Sequence, residues 1–125
     1  MNTLITLSQL AHTWLIDLDG TVTKHNSHIR DGDVLLPGVK AFWDRISLDD
    51  TIIILTAREE VFRAVTESFL QDSGLRFDRL IMGLPKGERI LINDRKPQGL
   101  ATAIAINIDR DIGFGQIKSI ISIGV

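Results

Sequence analysis

Two aspartates stand one residue apart at the end of an apolar run, in the segment WLIDLDGT of residues 14–21. Side chains alternate along a β-strand, so Asp17 and Asp19 are expected to project to the same side, and Gly20 allows the chain to turn sharply beyond them. Two carboxylates this close repel each other unless a cation lies between them or one of them is protonated. Under those conditions one carboxylate can act as a nucleophile while its neighbour transfers protons. The alternative is a strand that ends in an ordinary Asp-Gly turn, and we favour the catalytic interpretation.

A threonine and an arginine end a second apolar run, IIILTAR, at Thr56 and Arg58. The Thr56 hydroxyl can donate a hydrogen bond to a phosphoryl oxygen, and the start of a following helix can bind an anion. Threonine is also a common residue at a helix start, so Thr56 could instead cap a helix that begins near Arg58, with Arg58 as a solvated surface charge. Considered alone, this cluster favours the capping interpretation, although capping and anion binding can coexist.

The candidates for metal binding are carboxylates rather than histidines. Asp94 ends a third apolar run, RILIND, and together with Asp17 it can form an all-oxygen site of the kind that Mg²⁺ prefers. The alternative for Asp94 is an Asx turn after a strand. His12, His25 and His28 lack the paired spacing of a zinc site, so we expect them to be solvated, with substrate contact as the less favoured alternative.

The order of the predicted elements indicates an α/β protein. Apolar, β-branched runs alternate with segments of helical periodicity, which predicts a mostly parallel sheet covered by helices on both faces. The predicted strands are the run that leads to Asp17 and residues 51–56, 79–82, 89–94 and 103–108; the predicted helices are residues 38–46, 59–70 and 115–123. Ligands of such sheets bind beyond the carboxyl ends of the strands, where the three polar clusters are expected to converge.

The composition indicates one globular domain, residues 1–125, because 44% hydrophobic residues in a chain of this length suffice for one core. A formal net charge of −2 gives no general attraction to nucleic acids or anionic membranes, so neither is an expected partner. The chain has no cysteine and therefore no cysteine-ligated metal, which is compatible with the cytoplasmic location that we expect. No apolar run approaches the roughly 20 residues that cross a bilayer, and the N-terminus does not resemble a cleaved leader.

The motifs DLDGT, ILTAR and ILIND, in this order, resemble those of the haloacid dehalogenase superfamily, whose members are mostly magnesium-dependent phosphatases. The resemblance spans residues 14–108 and implies a three-layer, Rossmann-like fold. It implies that Asp17 is the nucleophile that forms an aspartyl-phosphate. Asp19 would protonate the leaving alcohol and then activate the hydrolytic water, and Thr56 would hold the transferring phosphoryl group. Catalysis of this kind depends mainly on positioning and on neutralising charge.

The resemblance also implies a cofactor and a set of substrate contacts. Mg²⁺ would be bound by Asp17, the backbone carbonyl of Asp19 and Asp94. The residues expected to contact the substrate are Gly20, Thr21, Ala57 and Arg58.

One expected residue of the superfamily is out of place. Its members usually carry a phosphate-binding lysine after the third strand, often before a proline, but Leu84 precedes Pro85 here. Lys86 and Lys96 are the two candidates for this role, and we slightly prefer Lys86. An exposed loop lysine without a role is the alternative for each of them, and if neither binds phosphate we expect Arg58 or Arg89 to do so.

The stretches between the motifs are too short for an inserted cap domain, so we expect an open site. Residues 23–36 would form a local flap, and a homo-oligomer could cover the site with a neighbouring subunit. The run MGLPKGERILINDRKP is similar to phosphatase-like proteins of bacterial surface-polysaccharide synthesis, which makes a phosphosugar the expected small phosphorylated substrate. Two alternatives stay open, a phosphatase of nucleotides or nucleic-acid ends and a domain that binds a phosphorylated ligand without turnover.

Overall fold

A three-stranded parallel sheet forms from the apolar runs that the sequence marks as strands. The computed structural model describes residues 4–123. Within them, β1 (Ile5–Leu7), β2 (Thr13–Asp17), β3 (Thr51–Leu55), β4 (Arg79–Ile81) and β5 (Ile121–Ile123) are strands, and α1 (Val39–Trp43) and α2 (Arg63–Asp72) are α-helices. Short 3₁₀ helices span Ser27–Ile29, Glu60–Phe62 and Ile117–Ser119.

The strand order places the carboxyl ends of three strands side by side. The first sheet has the order β2-β3-β4 and the second pairs β1 with β5, and every pairing is parallel. Asp17 of β2 lies opposite Leu55 of β3, which lies opposite Ile81 of β4. Parallel strands joined through helices confirm the predicted α/β class.

The core lies on one face of the first sheet. Ile52 and Ile54 of β3 are fully buried and join the same apolar cluster as Trp43 of α1 and Leu70 of α2. Burial of each such side chain stabilises the fold by about 1.5–3 kcal/mol, so this face holds the helices against the strands. On the opposite face, Leu15 of β2 is exposed, so the contacts that position β2 come mainly from the α1 and α2 side.

A buried carboxylate fixes the amino ends of β2 and β3. Asp50 accepts hydrogen bonds from the backbone N–H of His12 and from the Trp14 indole, both at 2.9 Å. Burial favours the neutral acid, but these hydrogen bonds outweigh it and hold the pKa of Asp50 below its ordinary value of 3.8. This contact fixes the register of β2 against β3 and therefore the position of Asp17 relative to β3 at the carboxyl end of β2.

Two predicted strands, residues 89–94 and 103–108, are not strands in the structure. The first is irregular and open to solvent, with Ile90 81% and Ile92 91% exposed. A short apolar run becomes a strand only when a sheet edge pairs with it. Here β2 pairs with β3 on one side, and neither predicted strand pairs with its other edge.

The predicted helices form with different bounds. Residues 38–46 contain the shorter helix α1, and residues 59–70 begin as a 3₁₀ turn before α2 extends to Asp72. The predicted terminal helix, residues 115–123, is wrong: a 3₁₀ turn there leads into β5, which pairs with β1. The isoleucines of this segment fit the pleat of a strand as well as a helical stripe, and the available edge of β1 decides between them. Residues 124 and 125 lie outside the described part. No helix among residues 4–123 is long and apolar enough to cross a membrane.

Candidate functional site

The motif after β2 makes a tight turn that presents both aspartates at the carboxyl edge of the sheet. Leu18 N–H donates to the Leu55 carbonyl, which continues the pairing one residue beyond the strands. The carbonyl of Leu18 then accepts the N–H groups of residues 21, 22 and 23. Gly20 adopts the left-handed φ of 82° that this turn requires and that glycine accepts without strain. Asp17 and Asp19 therefore lie on either side of one buried residue, Leu18.

Asp17 is held by two neighbours and stays accessible. Its Oδ2 accepts a hydrogen bond from the Thr21 hydroxyl at 2.8 Å, and its Oδ1 forms an ion pair with Arg89 Nη1 at 2.6 Å. The Asp17 side chain is 38% exposed, so a ligand can reach it from solvent. Thr21 thus orients Asp17 in this arrangement, and its contact with substrate stays a prediction.

Asp19 is the more deeply fixed carboxylate. Its Oδ2 accepts a hydrogen bond from the Thr56 hydroxyl at 2.8 Å, and its Oδ1 lies 3.0 Å from Arg58 Nε and 2.9 Å from Arg58 Nη2. Thr56 Oγ1 also accepts the Arg58 N–H at 3.0 Å. The helical segment begins only at Glu60, so Thr56 caps no helix; it orients Asp19 instead. The contact of Thr56 with a phosphoryl group stays a prediction.

Arg58 is the centre of a buried ionic network rather than a solvated charge. Its side chain is 1% exposed and forms a two-point ion pair with Asp33, which is 3% exposed, with Nη1 to Oδ2 at 3.1 Å and Nη2 to Oδ1 at 2.6 Å. Nη1 also donates to the Thr66 hydroxyl at 2.8 Å, and Nη2 lies 3.4 Å from the Thr23 hydroxyl.

This network engages the guanidinium on every side. Burial disfavours the charge, but the hydrogen bonds that Arg58 donates to Asp33 and Asp19 outweigh it and raise the pKa of Arg58 above its ordinary value. An arginine has five N–H donors, and here they point to two carboxylates and two hydroxyls. A contact between Arg58 and substrate, as predicted from the sequence, would have to break part of this network.

The flap of residues 23–36 brings a histidine toward Asp19. The His28 side chain is 8% exposed, its ring packs edge-on against Phe62 at 4.8 Å, and its Nδ1 lies 3.8 Å from Asp19 Oδ1. Burial and the Arg58 guanidinium lower the pKa of His28 below its ordinary value of 6.5. The expectation of a solvated His28 was therefore wrong, because the Arg58–Asp33 pair fixes the flap against the sheet.

The loop after β4 runs along the loop after β3. Gly83 N–H donates to the Arg58 carbonyl at 2.7 Å and Leu84 N–H to the Thr56 carbonyl at 3.1 Å. This course carries the chain onward to Arg89 and its ion pair with Asp17. Ala57, between the two contacted residues, is half-buried on this edge.

Neither predicted lysine meets an aspartate of the motif after β2. Lys86 is exposed, and Lys96 has its carboxylate neighbour in Asp94, 3.8 Å away. The cation that the structure brings to Asp17 is Arg89, which the sequence analysis considered only as a substitute for the two lysines. The phosphate-binding role of Lys86 or Lys96 stays a prediction.

The predicted magnesium ligands are not gathered in one place. Asp94 is exposed, in the irregular segment after Arg89, while both oxygens of Asp17 are engaged by Thr21 and Arg89. Across residues 4–123, no three His, Cys, Asp or Glu side chains form a group that could hold a metal ion. The arrangement described here does not fit the predicted ligand set, and magnesium binding stays a prediction.

A second loop from the C-terminal part of the chain completes the rim. Asp111 N–H donates to the Gly20 carbonyl at 2.8 Å, and Asp111 Oδ1 accepts the His25 N–H at 2.8 Å. The Arg110 side chain lies over Gly20, where a β-carbon would stand 3.2 Å from Arg110 Cγ. The loop is thereby fixed to both the aspartate turn and the flap.

Sequence reasoning missed two residues of this site, Asp33 and Arg110, and it considered Arg89 only as a substitute for the two lysines. For Asp33 one signal was present, because an arginine enclosed between an apolar strand and a helix needs a carboxylate partner and residues 22–36 are rich in polar groups. Arg110 carries no such signal, since it comes close to Gly20 only through long-range loop packing.

The comparisons with known proteins identify no family. No family model matches the chain, and no curated protein matches it. Among solved structures, the chain is similar to one chain of a structure described as "Structure of Pnkp1/Rnl/Hen1 complex", with a TM-score of 0.48 and 25% sequence identity. The similarity covers 70% of this chain and 31% of that chain, so this chain spans about a third of the length of that neighbour. The parallel α/β architecture is established by the strand pairings themselves.

Proposed function

We propose that the chain is a magnesium-dependent phosphomonoester hydrolase of the haloacid dehalogenase type that works through an aspartyl-phosphate on Asp17. The observation that supports this most is the pair Asp17 and Asp19 at the carboxyl edge of β2, one carboxylate open to solvent and the other fixed by hydrogen bonds. Such an edge is where ligands of parallel α/β sheets bind.

The two carboxylates are assigned different chemical roles because their surroundings differ. In the first step an Asp17 oxygen attacks phosphorus, the bond from phosphorus to the ester oxygen breaks, and Asp19, which must enter this step in its protonated form, gives its proton to the departing alkoxide. In the second step Asp19 takes a proton from water as the water oxygen attacks phosphorus, which releases phosphate and restores Asp17. Thr56 and Arg58 support both steps by holding Asp19 in one orientation.

Arg89 is the cation that this proposal assigns to the phosphoryl group. It already forms a 2.6 Å ion pair with Asp17, and phosphoryl oxygens that arrive at Asp17 would compete for the same guanidinium. Transfer of Arg89 from the carboxylate to the phosphoryl oxygens would free Asp17 to attack. Lys86 and Lys96 remain the competing candidates from the sequence.

Magnesium dependence and the substrate are the parts of the proposal that rest on the resemblance. Mg²⁺ would neutralise charge on the phosphoryl oxygens, but Asp94 supplies no ligand in the arrangement described, and both chemical steps above are assigned to Asp17 and Asp19. A small phosphosugar in the cytoplasm is the proposed substrate, with nucleotides as the alternative. A second subunit that covers the open site also remains part of the proposal.

A second candidate function follows from the Arg89–Asp17 ion pair. A carboxylate neutralised by an arginine is a poor nucleophile, and a domain that uses Arg89 only to bind a phosphorylated ligand needs no turnover. This candidate predicts phosphate-ester binding without release of phosphate.

The test is phosphate release from sugar phosphates, nucleotides and a generic aryl phosphate, with magnesium and with chelator. Asp17→Asn keeps the side-chain shape and removes the nucleophile, and Asp31→Asn is the matched control because Asp31 is exposed on the flap. Magnesium-dependent release that is lost in Asp17→Asn and retained in Asp31→Asn is the expected result. Full activity in Asp17→Asn would overturn the proposal, and binding without release would favour the second candidate.

A further inference from the structure

We propose that Arg110 forms a second anion subsite beside the aspartate turn, so that the preferred substrate is a phosphate ester whose alcohol part carries a carboxylate or a second phosphate. This inference rests on the proposed function, and it names the substrate class of the same site. It starts from the position of the Arg110 side chain over Gly20, the residue that follows Asp19.

The backbone around Arg110 is fixed at the site rather than left as a free loop. The N–H of Asp111 donates to the Gly20 carbonyl, and the Asp111 carboxylate accepts the His25 N–H, both at 2.8 Å. Asp111 holds a left-handed φ of 65°, uncommon for a residue with a side chain, and these contacts maintain it. These contacts of Asp111 hold the backbone next to Arg110 against the aspartate turn, where the Arg110 side chain lies over Gly20.

Arg110 differs in its partners from the other two arginines of the site. Arg58 is buried and donates hydrogen bonds to Asp33 and Asp19, and Arg89 is paired with Asp17. Arg110 has no hydrogen-bond or ion-pair partner in the part of the chain that the structure describes. Of the two carboxylates next to it in the sequence, Asp111 accepts the His25 N–H and the exposed Asp109 is not paired with it. Arg110 is exposed and is thus available to a ligand.

The position decides which part of a substrate this cation would meet. A phosphoryl group that reacts at Asp17 lies next to Arg89, so its charge is matched there. Arg110 lies over Gly20, the residue after Asp19, and the proposal places the alcohol portion of the ester there because Asp19 is the group assigned to protonate it. A guanidinium recognises carboxylate and phosphate through the same pair of parallel hydrogen bonds, so either anion fits.

The glycine of the motif takes part in this arrangement. A β-carbon at position 20 would stand 3.2 Å from Arg110 Cγ and 3.9 Å from its Cδ and Nε. Gly20 therefore allows Arg110 to cross the turn closely.

The experiment compares two esters that differ only in the added anion, phenyl phosphate and 4-carboxyphenyl phosphate. Phosphoglycolate and a sugar bisphosphate are then used to distinguish a carboxylate from a second phosphate as the preferred anion. The readout is the ratio of kcat/KM for the carboxylated ester to that for the plain ester. In the intact protein we expect a ratio above one, which falls by roughly five- to tenfold in Arg110→Gln, mainly through KM. Arg45→Gln is the matched control, an exposed arginine at the opposite edge of the sheet, and it should keep the ratio.

Two results of the kinetic comparison would contradict the Arg110 subsite. An intact protein that treats the two esters alike, or an Arg110→Gln variant that keeps the original ratio, would overturn the subsite. If neither ester is hydrolysed, the proposed phosphatase function fails separately, and calorimetric binding of the same two esters decides the inference. Tighter binding of the carboxylated ester that is lost in Arg110→Gln supports it, and equal or absent binding overturns it.

Discussion

Replacement of Asp33 by alanine removes the main partner of a buried positive charge. In the folded protein the Arg58 side chain is 1% exposed and is bound at two points by Asp33. Loss of one partner of a buried ion pair typically costs about 3–5 kcal/mol, because the remaining charge is left without compensation. Asp19 still lies 2.9 Å from Arg58 after the substitution, so we expect the lower end, about 3 kcal/mol.

Urea unfolding followed by tryptophan fluorescence measures this loss. Trp14 packs against the core and Trp43 is buried in it, so both report on the same transition. For small proteins the dependence of stability on urea is about 1–3 kcal/mol per molar, so a loss of 3 kcal/mol lowers the midpoint by about 1–3 M. Asp33→Asn keeps one hydrogen-bond acceptor for Arg58 and should lie between Asp33→Ala and the intact protein.

The matched control is Asp31→Ala, which removes a carboxylate from the same segment. Asp31 is exposed, so the substitution should change stability by no more than about 0.5 kcal/mol. If Asp33→Ala is as mild as Asp31→Ala, the flap is not fixed through Arg58 and the account of the network is refuted. If Asp33→Ala does not fold, a clear loss in Asp33→Asn carries the same conclusion.

Three further predictions concern the site. Arg89→Ala should lower phosphatase activity by about 10²-fold, whereas Lys86→Ala and Lys96→Ala should have small effects; the reverse order would return the phosphate contact to a lysine. Because the pKa of His28 lies below 6.5 in the folded protein, the unfolded chain binds that proton more readily, so stability should fall as the pH drops below about 6.5. His28→Gln should reduce this loss in urea titrations, and an unchanged pH dependence would contradict the burial beside Arg58 and Asp19. Thr56→Val should lower kcat more than it raises KM, because it frees Asp19 rather than removing a substrate contact.

The strands of the first sheet could be predicted because their sequences leave few alternatives. The run TIIIL is β-branched and flanked by Asp50 and Thr56, so it fits a buried strand better than a helix. The run RILIND has the same apolar pattern but stays exposed, because strand formation there requires pairing with the edge of a sheet formed by distant residues. The helix predicted for the isoleucines after Lys118 was wrong for the same reason, since they pair with β1 at the other end of the chain.

The same difference between local and long-range contacts decides which parts of the candidate site could be predicted. The closeness of Asp17 and Asp19 follows from local backbone geometry, and the meeting of Asp19 with Thr56 follows from parallel pairing of neighbouring strands. The contact between Arg89 and Asp17 joins residues 72 positions apart, and that between Arg58 and Asp33 joins residues 25 apart. Such contacts depend on how loops pack, and neither periodicity nor a motif encodes them.

The central claim is that Asp17 is a nucleophile, and its most direct test is to trap the phosphorylated enzyme. The protein is mixed with its best substrate and magnesium, quenched in acid within one turnover, digested and analysed by mass spectrometry. The account predicts one added phosphoryl group on the peptide that contains Asp17, and no such adduct in Asp17→Asn. Hydrolysis that proceeds in Asp17→Asn, or an adduct on another residue, would contradict it.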